Sequence, residues 1–298
     1  MSTTITKVAL AGATGNLGPA ILEQLIKAGF EVTVLTREGS KHTYPAGVTA
    51  IPVNYDSLDS LVAALKGQDA VVSTIGGAAL DKQLLLIEAA AQAGVKRFIP
   101  SEFGSNTSNS KVAALPAFGG KVAVQAALKE KAAAGTLSYT FVITGPFLDW
   151  GLQVGFLLDV KGKQTKIFDD GNRPFSVTTL PAIGQAVAAV LKKPAETENR
   201  TVYVHEAAVT QNQLLALAKK AVGSDGWTEE HTTAEAELAE GWAELKKENP
   251  SPHFIFKFIS AAIFGEGYGS HFEKTDNELL GIKQLSEAEL LELVKRFA

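Results

Sequence analysis

The sequence predicts an α/β protein in which a doubly wound parallel sheet is followed by a smaller α+β lobe. Short apolar runs of five or six residues alternate with helix-like segments as far as residue 145, which is typical of successive βαβ units. The runs are apolar throughout, as in parallel strands whose two faces are both covered by helices. After residue 145 the alternation loosens, and this change indicates a second lobe.

The first βαβ unit has the clearest pattern. Lys7–Ala11 is a short apolar strand followed by glycine. Asn16–Ala28 has helical spacing, with four apolar side chains on one face, and Gly29 ends the helix. Glu31–Thr36 is predicted to be the next buried strand.

The same alternation continues through the rest of the first half, and Ser57 is a plausible side-chain cap for the helix that follows it. The predicted strands there are Val48–Val53, Ala70–Ile75, Lys96–Pro100 and Tyr139–Thr144, and the predicted helices are Ser57–Leu65, Leu80–Ala93 and Gly119–Ala134.

The second half is less regular, because residues 145–179 contain clusters of Gly, Pro and Asp. We expect residues 1–150, with 181–210 returning to them, to form the sheet domain. Residues 151–180 and 211–298 are expected to form a smaller lobe over the carboxyl edge of the sheet, where open α/β sheets bind ligands. The elements predicted here are helices Ala182–Leu191 and Gln211–Ala221, strand Thr201–His205, and a last helix opened by the capping-box pair Ser286 and Glu289.

Composition excludes several classes of function. The net charge is −4, with 28 basic and 32 acidic side chains, so no basic excess indicates a nucleic-acid partner. The chain has no cysteine, which excludes disulfides and thiolate chemistry, and its histidines lack metal-ligand spacing, so no metal is expected. No run approaches the roughly 18 apolar residues of a bilayer span and no signal-peptide pattern comes first. We therefore expect a cytoplasmic protein without a membrane partner.

A glycine loop follows the first strand. Gly12 allows a tight turn, Gly15 lets a pyrophosphate approach the backbone, and Gly18 allows close packing of the helix, whose free N–H groups attract phosphate. The spacing departs by one residue from the usual G-x-G-x-x-G, and a merely structural turn is the alternative. The loop predicts a dinucleotide-binding, Rossmann-like domain. The expected contacts in the loop are Gly12, Thr14, Gly15, Asn16, Leu17 and Gly18.

Arg37, at the end of the second strand, favours NADP over NAD. An arginine at this place suits a 2′-phosphate, which it can hold bidentately. Lys41 could add a second charge, or be a solvated loop lysine. Glu38 is the contrary signal, because an acid here could bind a ribose hydroxyl instead. Small residues at the end of the fourth strand permit close approach of a cofactor, or simply make a turn; they are Thr74, Ile75 and Gly76.

Four strings together resemble the isoflavone reductase-like group of the NmrA-like, atypical short-chain dehydrogenases. They are GATGNLG at residues 12–18, VVSTIGG at 71–77, KRFIPSEFG at 96–104, and TGPFLDWGL at 144–152, the last of which is similar to fungal members. The resemblance implies an NADPH-binding domain, a small substrate lobe and reduction of phenylpropanoid-type aromatic substrates with a lysine. Lys121 matches the place of that lysine. The group also contains NADP-binding redox-sensing regulators.

Lys121 also has a physical reason to be reactive. It lies in the first turn of its predicted helix, where the helix dipole disfavours a positive charge, and a pocket would lower its pKa further. Such a lysine can act as a general acid or base near neutral pH, and it is expected to lie against the cofactor. A surface lysine on an alanine-rich helix is the alternative. The Tyr-x-x-x-Lys pair of ordinary short-chain dehydrogenases is absent from the sequence.

Further residues are placed near the nicotinamide or the substrate by their position after strands. Ser101, Glu102 and Phe103 follow the fifth strand, and Pro146 and Phe147 follow the sixth. For Glu102, a role in the turn itself is the alternative. Aromatic side chains could wall an apolar substrate site or simply belong to the core; they are Trp150, Phe156, Phe175, Phe254 and Phe258.

The function expected from these features is hydride transfer from NADPH to a small aromatic or polyketide-like substrate, with Lys121 as the general acid/base. The alternatives are an NADP-binding redox-sensing regulatory protein without turnover, and a non-redox enzyme on the same fold. The oligomeric state expected is a monomer or a homodimer.

Overall fold

The computed structural model describes residues 4–251 and 253–298, and within them the first half of the chain forms the predicted sheet. The strands are β1 Lys7–Ala11, β2 Glu31–Arg37, β3 Thr49–Val53, β4 Ala70–Ser73, β5 Arg97–Ile99, β6 Ser138–Ile143, β7 Gln164–Phe168, β8 Phe175–Val177, β9 Arg200–Tyr203, β10 Ala207–Val209 and β11 Thr228–Thr232.

The helices occupy the intervals between the strands and most of the last third of the chain. They are α1 Gly18–Lys27, α2 Leu58–Leu65, α3 Lys82–Gln92, α4 Ser110–Ala113, α5 Gly119–Ala133, α6 Leu148–Gln153, α7 Leu180–Lys192, α8 Gln211–Val222, α9 Ala234–Leu245, α10 Ile255–Phe264, α11 Asn277–Leu280 and α12 Glu287–Lys295. Both capping predictions are confirmed, since Ser57 caps α2 and Ser286 with Glu289 forms a capping box on α12.

Seven strands of the described residues form one parallel sheet in the order β3-β2-β1-β4-β5-β6-β9. The strand order reverses between β1 and β4, and ligands of open α/β sheets bind at such a switch point, outside the carboxyl ends of the strands. The glycine loop after β1 and residues 74–76 after β4 both lie at this point. The predicted fold class, a doubly wound Rossmann-like sheet, is confirmed.

Helices cover both faces of the sheet, which explains why its strands are apolar throughout. On one face, α1 and α7 pack on the sheet, with Ile21, Leu25 and Ile183 completely buried. On the other face, α2, α3 and α5 form a second apolar cluster with side chains such as Leu61 and Leu86. Burial of these side chains contributes about 1.5–3 kcal/mol each.

The second half of the chain forms a third apolar cluster, around β7, β8, α8, α10 and α12. β8 pairs with β10 in antiparallel fashion, and β7 pairs with β11 in parallel. Side chains of α6 and β10 also belong to this cluster, so the expected boundaries near residues 150 and 210 stay predictions. In the described part of the chain, no helix combines the length and apolar character of a membrane span.

Two strands end two residues earlier than the prediction. β4 ends at Ser73 rather than at Ile75, and the hydroxyl of Thr74 donates to the carbonyls of Ala11 and Gly12, at 3.0 and 2.9 Å. β9 ends at Tyr203, so His205 lies beyond the strand.

Candidate active site

The glycine loop between β1 and α1 is built so closely that it leaves no room for side chains at two positions. Gly12 has φ of +86°, and a Cβ there would lie 2.6 Å from Thr74 Oγ1. A Cβ on Gly18 would lie 2.2 Å from the Gly12 carbonyl oxygen. The turn is closed by the Gly15 N–H, which donates to the Gly12 carbonyl at 3.1 Å.

The loop also leaves donors free for a ligand. α1 has no side-chain cap at its N-terminus, so backbone N–H groups of its first turn are available to an anion. Thr14, Gly15 and Asn16 are exposed at the surface of the loop, whereas Leu17 is buried in the core and offers only its backbone. This arrangement fits the pyrophosphate of a dinucleotide.

At the neighbouring strand end, Gly76 is exposed and extended, and a Cβ there would meet no atom within 4 Å. Thr74 and Ile75 are half-buried beside it. The open space at Gly76 lies at the switch point of the sheet, where a cofactor would run past the loop.

Arg37 and Lys41 are both exposed, near the loop that follows β2. Burial raises the pKa of Tyr55, the neighbouring Tyr44 raises it further, and the positive charge of Arg37 lowers it. The Tyr55 hydroxyl donates to the Leu35 carbonyl at 3.0 Å.

Lys121 lies in the first turn of α5, as the sequence predicts, and is half-buried. Its ammonium donates to the main-chain carbonyl of Glu102. Burial lowers the pKa of Lys121, and the Glu102 carboxylate opposes that effect. A lysine whose ammonium form is disfavoured by burial gives up its proton more easily than an exposed lysine.

The loops after β5 and β6 meet beside this lysine. The Gly145 N–H donates to the Gly104 carbonyl at 3.0 Å, and a Cβ on Gly104 would be 3.7 Å from Lys121 Nζ. Pro146 and Phe147, which follow Gly145, are half-buried. The structure therefore brings the two predicted nicotinamide-side segments together with Lys121.

The buried side-chain amide of Gln83 holds the start of residues 101–103 in place. Gln83 is completely buried, and its Oε1 accepts the Ser101 N–H at 2.9 Å. Ser101 is half-buried, Phe103 is 6% exposed, and Glu102 is completely buried. The side chain of Glu102 therefore presents no surface to a cofactor, and the sequence-based expectation of a cofactor contact rests on its backbone.

The five predicted aromatic residues fall into two groups. Trp150 and Phe156 are half-buried; Trp150 packs edge-on against Phe147, with ring centroids 6.4 Å apart. Phe175 and Phe258 are completely buried in apolar clusters, and Phe254 packs against Phe258 with ring centroids 6.2 Å apart. Because Phe175 and Phe258 expose no surface, they act as core residues and we do not carry them into the substrate site.

Tyr268 was missed by the sequence reasoning. It is half-buried in the same apolar cluster as Phe258, and it lies in a glycine-rich segment, residues 265–270. Asn109 donates to the carbonyl of Gly267 at 3.0 Å, so this segment is tied to the chain between β5 and α5. The repeated glycines of residues 265–270 were the feature of the sequence that could have drawn attention to this segment.

A cavity of about 550 Å³ lies elsewhere, between the chain that follows β9 and residues 271–290. It is lined by His205, His271, Glu206 and Glu273 among others, and none of the predicted site residues lines it. Within the described ranges, no group of three or more potential ligands is arranged to hold a metal ion.

The fold, the glycine loop and the lysine define the class of NAD(P)-binding, Rossmann-like oxidoreductases. The model of the NmrA-like family matches residues 4–232, and the chain belongs to that family. The resemblance predicted from the four sequence strings is thereby confirmed.

Individual relatives and structures agree with this assignment. The chain is 33% identical to the oxidoreductase poxI of Penicillium oxalicum, over 96% of the chain and 92% of that protein. It is 29% identical to a phenylcoumaran benzylic ether reductase of Ginkgo biloba, over 92% of each. The structure of AtPrR2 with NADP+ and (+)pinoresinol is similar, with a TM-score of 0.79, 25% identity and 99% coverage of both chains. Isoflavone reductase shares the fold, with a TM-score of 0.78, 22% identity, and 99% and 100% coverage.

Proposed function

We propose that this protein is an NADPH-dependent reductase of a small aromatic or polyketide-like substrate, with Lys121 as the general acid/base. The observation that carries the proposal is the position of Lys121. Its ammonium is held at the Glu102 carbonyl, where the loops after β5 and β6 meet, and its pKa is lowered by burial. A general acid/base is useful to an enzyme that turns over a substrate, whereas a protein that only binds NADP has no need of one.

The residues that would hold NADPH lie along the carboxyl edge of the sheet. The glycine loop and the N-terminus of α1 fit the pyrophosphate, Arg37 suits the 2′-phosphate, and Gly76 leaves room beside the loop. NADPH supplies the hydride when bound. The protein contributes binding, orientation and exclusion of water.

Lys121 would donate a proton to, or take one from, the substrate atom whose charge changes as hydride is transferred. Its first-turn position in α5 and the carbonyl of Glu102 fix the direction of the amine. Phe147 and Trp150 follow β6 and pack against each other to form an apolar aromatic surface. They lie a few residues after Gly145, whose N–H donates to the Gly104 carbonyl. This surface suits a flat, uncharged substrate.

The names of related proteins support the substrate class. One relative is a phenylcoumaran benzylic ether reductase, and a structure with a similar fold was obtained with (+)pinoresinol. Both names refer to aromatic molecules of the phenylpropanoid type. A phenylcoumaran, pinoresinol and an isoflavone are therefore the first compounds to test.

The cofactor assignment predicts that Arg37→Ala weakens NADPH binding by about tenfold or more, because a hydrogen-bonded contact to a charged group contributes about 1.5–3 kcal/mol. NADH, which lacks the 2′-phosphate, should bind the variant and the wild type alike. Calorimetric titration with both nucleotides measures this. The matched control is Lys66→Ala, an exposed lysine at the end of α2. Equal binding of NADPH and NADH by the wild type would contradict the assignment.

The catalytic assignment predicts that Lys121→Ala lowers kcat by about 100- to 10,000-fold, the usual contribution of a general acid or base. NADPH affinity should change much less than kcat. Turnover is followed as loss of NADPH with the three compounds named above. Lys129→Ala, an exposed lysine on the same helix, is the control and should keep wild-type activity. Tight NADPH binding without consumption of NADPH would favour the regulatory alternative.

A further inference from the structure

Glu102 carries a carboxylate that the fold buries completely. Its Oε2 accepts a hydrogen bond from the Thr107 hydroxyl. Among the described residues, no donor reaches its Oε1. A buried acceptor without a partner costs about 1–3 kcal/mol, and more when it is charged, so this side chain calls for an explanation beyond stability.

The carboxylate is linked back to the helix that carries Lys121. Gln125 Nε2 donates to Thr107 Oγ1 at 2.8 Å, and the Gln125 side chain is buried. Gln125 lies four residues after Lys121 in α5, and residues four apart share one face of a helix. The contacts therefore close a ring, from Lys121 to the Glu102 carbonyl, from the Glu102 carboxylate to Thr107, and from Thr107 to Gln125.

We propose that Glu102 is a positioning residue for Lys121: its main-chain carbonyl holds the ammonium, and its buried carboxylate supports the positive charge of that ammonium. The proposal rests on the proposed role of Lys121 in the reaction. It gives the side chain of Glu102 a role that does not depend on contact with the cofactor, since the carboxylate is completely buried.

Glu102 and burial act on the pKa of Lys121 in opposite directions. Burial lowers the pKa of Lys121, and Glu102 is the charged neighbour that raises it. The other side chains of the ring, Thr107 and Gln125, are neutral. Glu102 would thus favour the ammonium form of Lys121 relative to a site without this carboxylate.

The test is a direct titration of Lys121 in the free protein, by NMR of isotope-labelled lysine side chains, with Lys121→Arg to assign the signal. In Glu102→Gln, which keeps the size of the side chain and removes its charge, the pKa of Lys121 should fall by about one unit. In Thr107→Val, which removes the hydroxyl that donates to the carboxylate and so disfavours its charged form, the pKa of Lys121 should also fall. A merely structural role would leave the pKa of Lys121 unchanged in both folded variants.

An unchanged pKa of Lys121 in folded Glu102→Gln would overturn the proposal. If Glu102→Gln does not fold by circular dichroism, Thr107→Val decides, and an unchanged or higher pKa of Lys121 there overturns the proposal equally. The titration needs no substrate, so it is separate from the fate of the proposed function. Shifts as predicted, in a protein that binds NADPH but never consumes it, would support the electrostatic coupling while the reductase assignment failed.

Discussion

At the scale of single residues, each glycine of the β1–α1 loop is required for a different physical reason. Gly12 adopts a positive φ and lies against Thr74, and Gly18 lies against the backbone of the loop itself. Around Gly15 a Cβ would make only an ordinary contact, at 3.5 Å from the Gly12 carbonyl. Two of the glycines are therefore required by the packing of the protein itself, whereas at Gly15 the close approach of a pyrophosphate stays a prediction.

Alanine substitutions at Gly76 and Gly18 distinguish a glycine that leaves room for the cofactor from a glycine that packing requires. Gly76→Ala should leave the free energy of unfolding within about 0.5 kcal/mol of wild type, because the new methyl meets nothing. It should weaken NADPH binding by about tenfold, because the methyl enters the space where the cofactor is expected. Gly18→Ala should destabilise the protein by about 1–3 kcal/mol through overpacking.

Urea denaturation and calorimetric titration with NADPH measure the two quantities on both variants. Wild-type NADPH affinity in Gly76→Ala would mean that the cofactor does not approach the end of β4.

At the scale of elements, a buried arginine holds β5, β6 and the chain before β9 together at the amino edge of the sheet. Arg97 is 2% exposed, and its guanidinium donates to Ser138, Thr140, Thr197 and the carbonyl of Pro194 at distances of 2.8–3.2 Å. Burial lowers its pKa, and the bonds to neutral acceptors offset part of the cost of burying the charge. These hydrogen bonds stabilise the amino edge of the sheet, which lies opposite to the site.

Arg97→Lys should therefore destabilise the protein by about 2–5 kcal/mol, because one ammonium cannot replace several guanidinium bonds to buried acceptors. NADPH affinity should stay unchanged, since the site lies at the other edge. The free energy of unfolding in urea measures the effect. Lys96→Ala, which removes an exposed ion pair with Asp69, is the neighbouring control and should cost less than about 1 kcal/mol. A similar loss in both variants would argue against a special role for the buried guanidinium.

At the scale of the whole molecule, His205 connects the sheet to the second half of the chain. It is 5% exposed; its Nδ1 lies 2.8 Å from Ser176 Oγ of β8, and its Nε2 lies 3.0 Å from Gln284 Nε2. Burial lowers the pKa of His205 below its ordinary value of 6.5, and His271 adds to this. The folded protein therefore prefers the neutral imidazole.

The sign of the resulting pH dependence follows from linkage. Because the pKa of His205 is lower in the folded than in the unfolded state, its contribution to stability is present above pH 6.5 and is lost as the pH falls through the folded-state pKa. The urea midpoint of the wild type should fall between about pH 8 and pH 5.5, and His205→Gln should flatten that fall. His231→Gln, at an exposed position on β11, should leave it as in the wild type. A wild-type slope in His205→Gln would assign the loss to other groups.

The sequence by itself determined the sheet, the glycine loop and the position of Lys121 at the start of its helix. Apolar periodicity reports which faces are covered, glycine spacing reports where the backbone turns or is crowded, and a position in a helix follows from the local pattern. These properties depend on residues that are neighbours in the chain, so a single sequence contains them.

Only the tertiary structure decided which side chains are buried and what they contact. Lys121 meets Glu102 across 19 positions, and Arg97 meets Thr197 across 100. Phe175 and Phe258 belong to the core, while the similar Phe156 is half-buried. In all these cases the sequence offered only residue type and spacing, which do not distinguish a buried side chain from a half-buried one. Burial and hydrogen-bond partners depend on which distant segments the fold brings together, and for that physical reason no local pattern in the sequence could specify them.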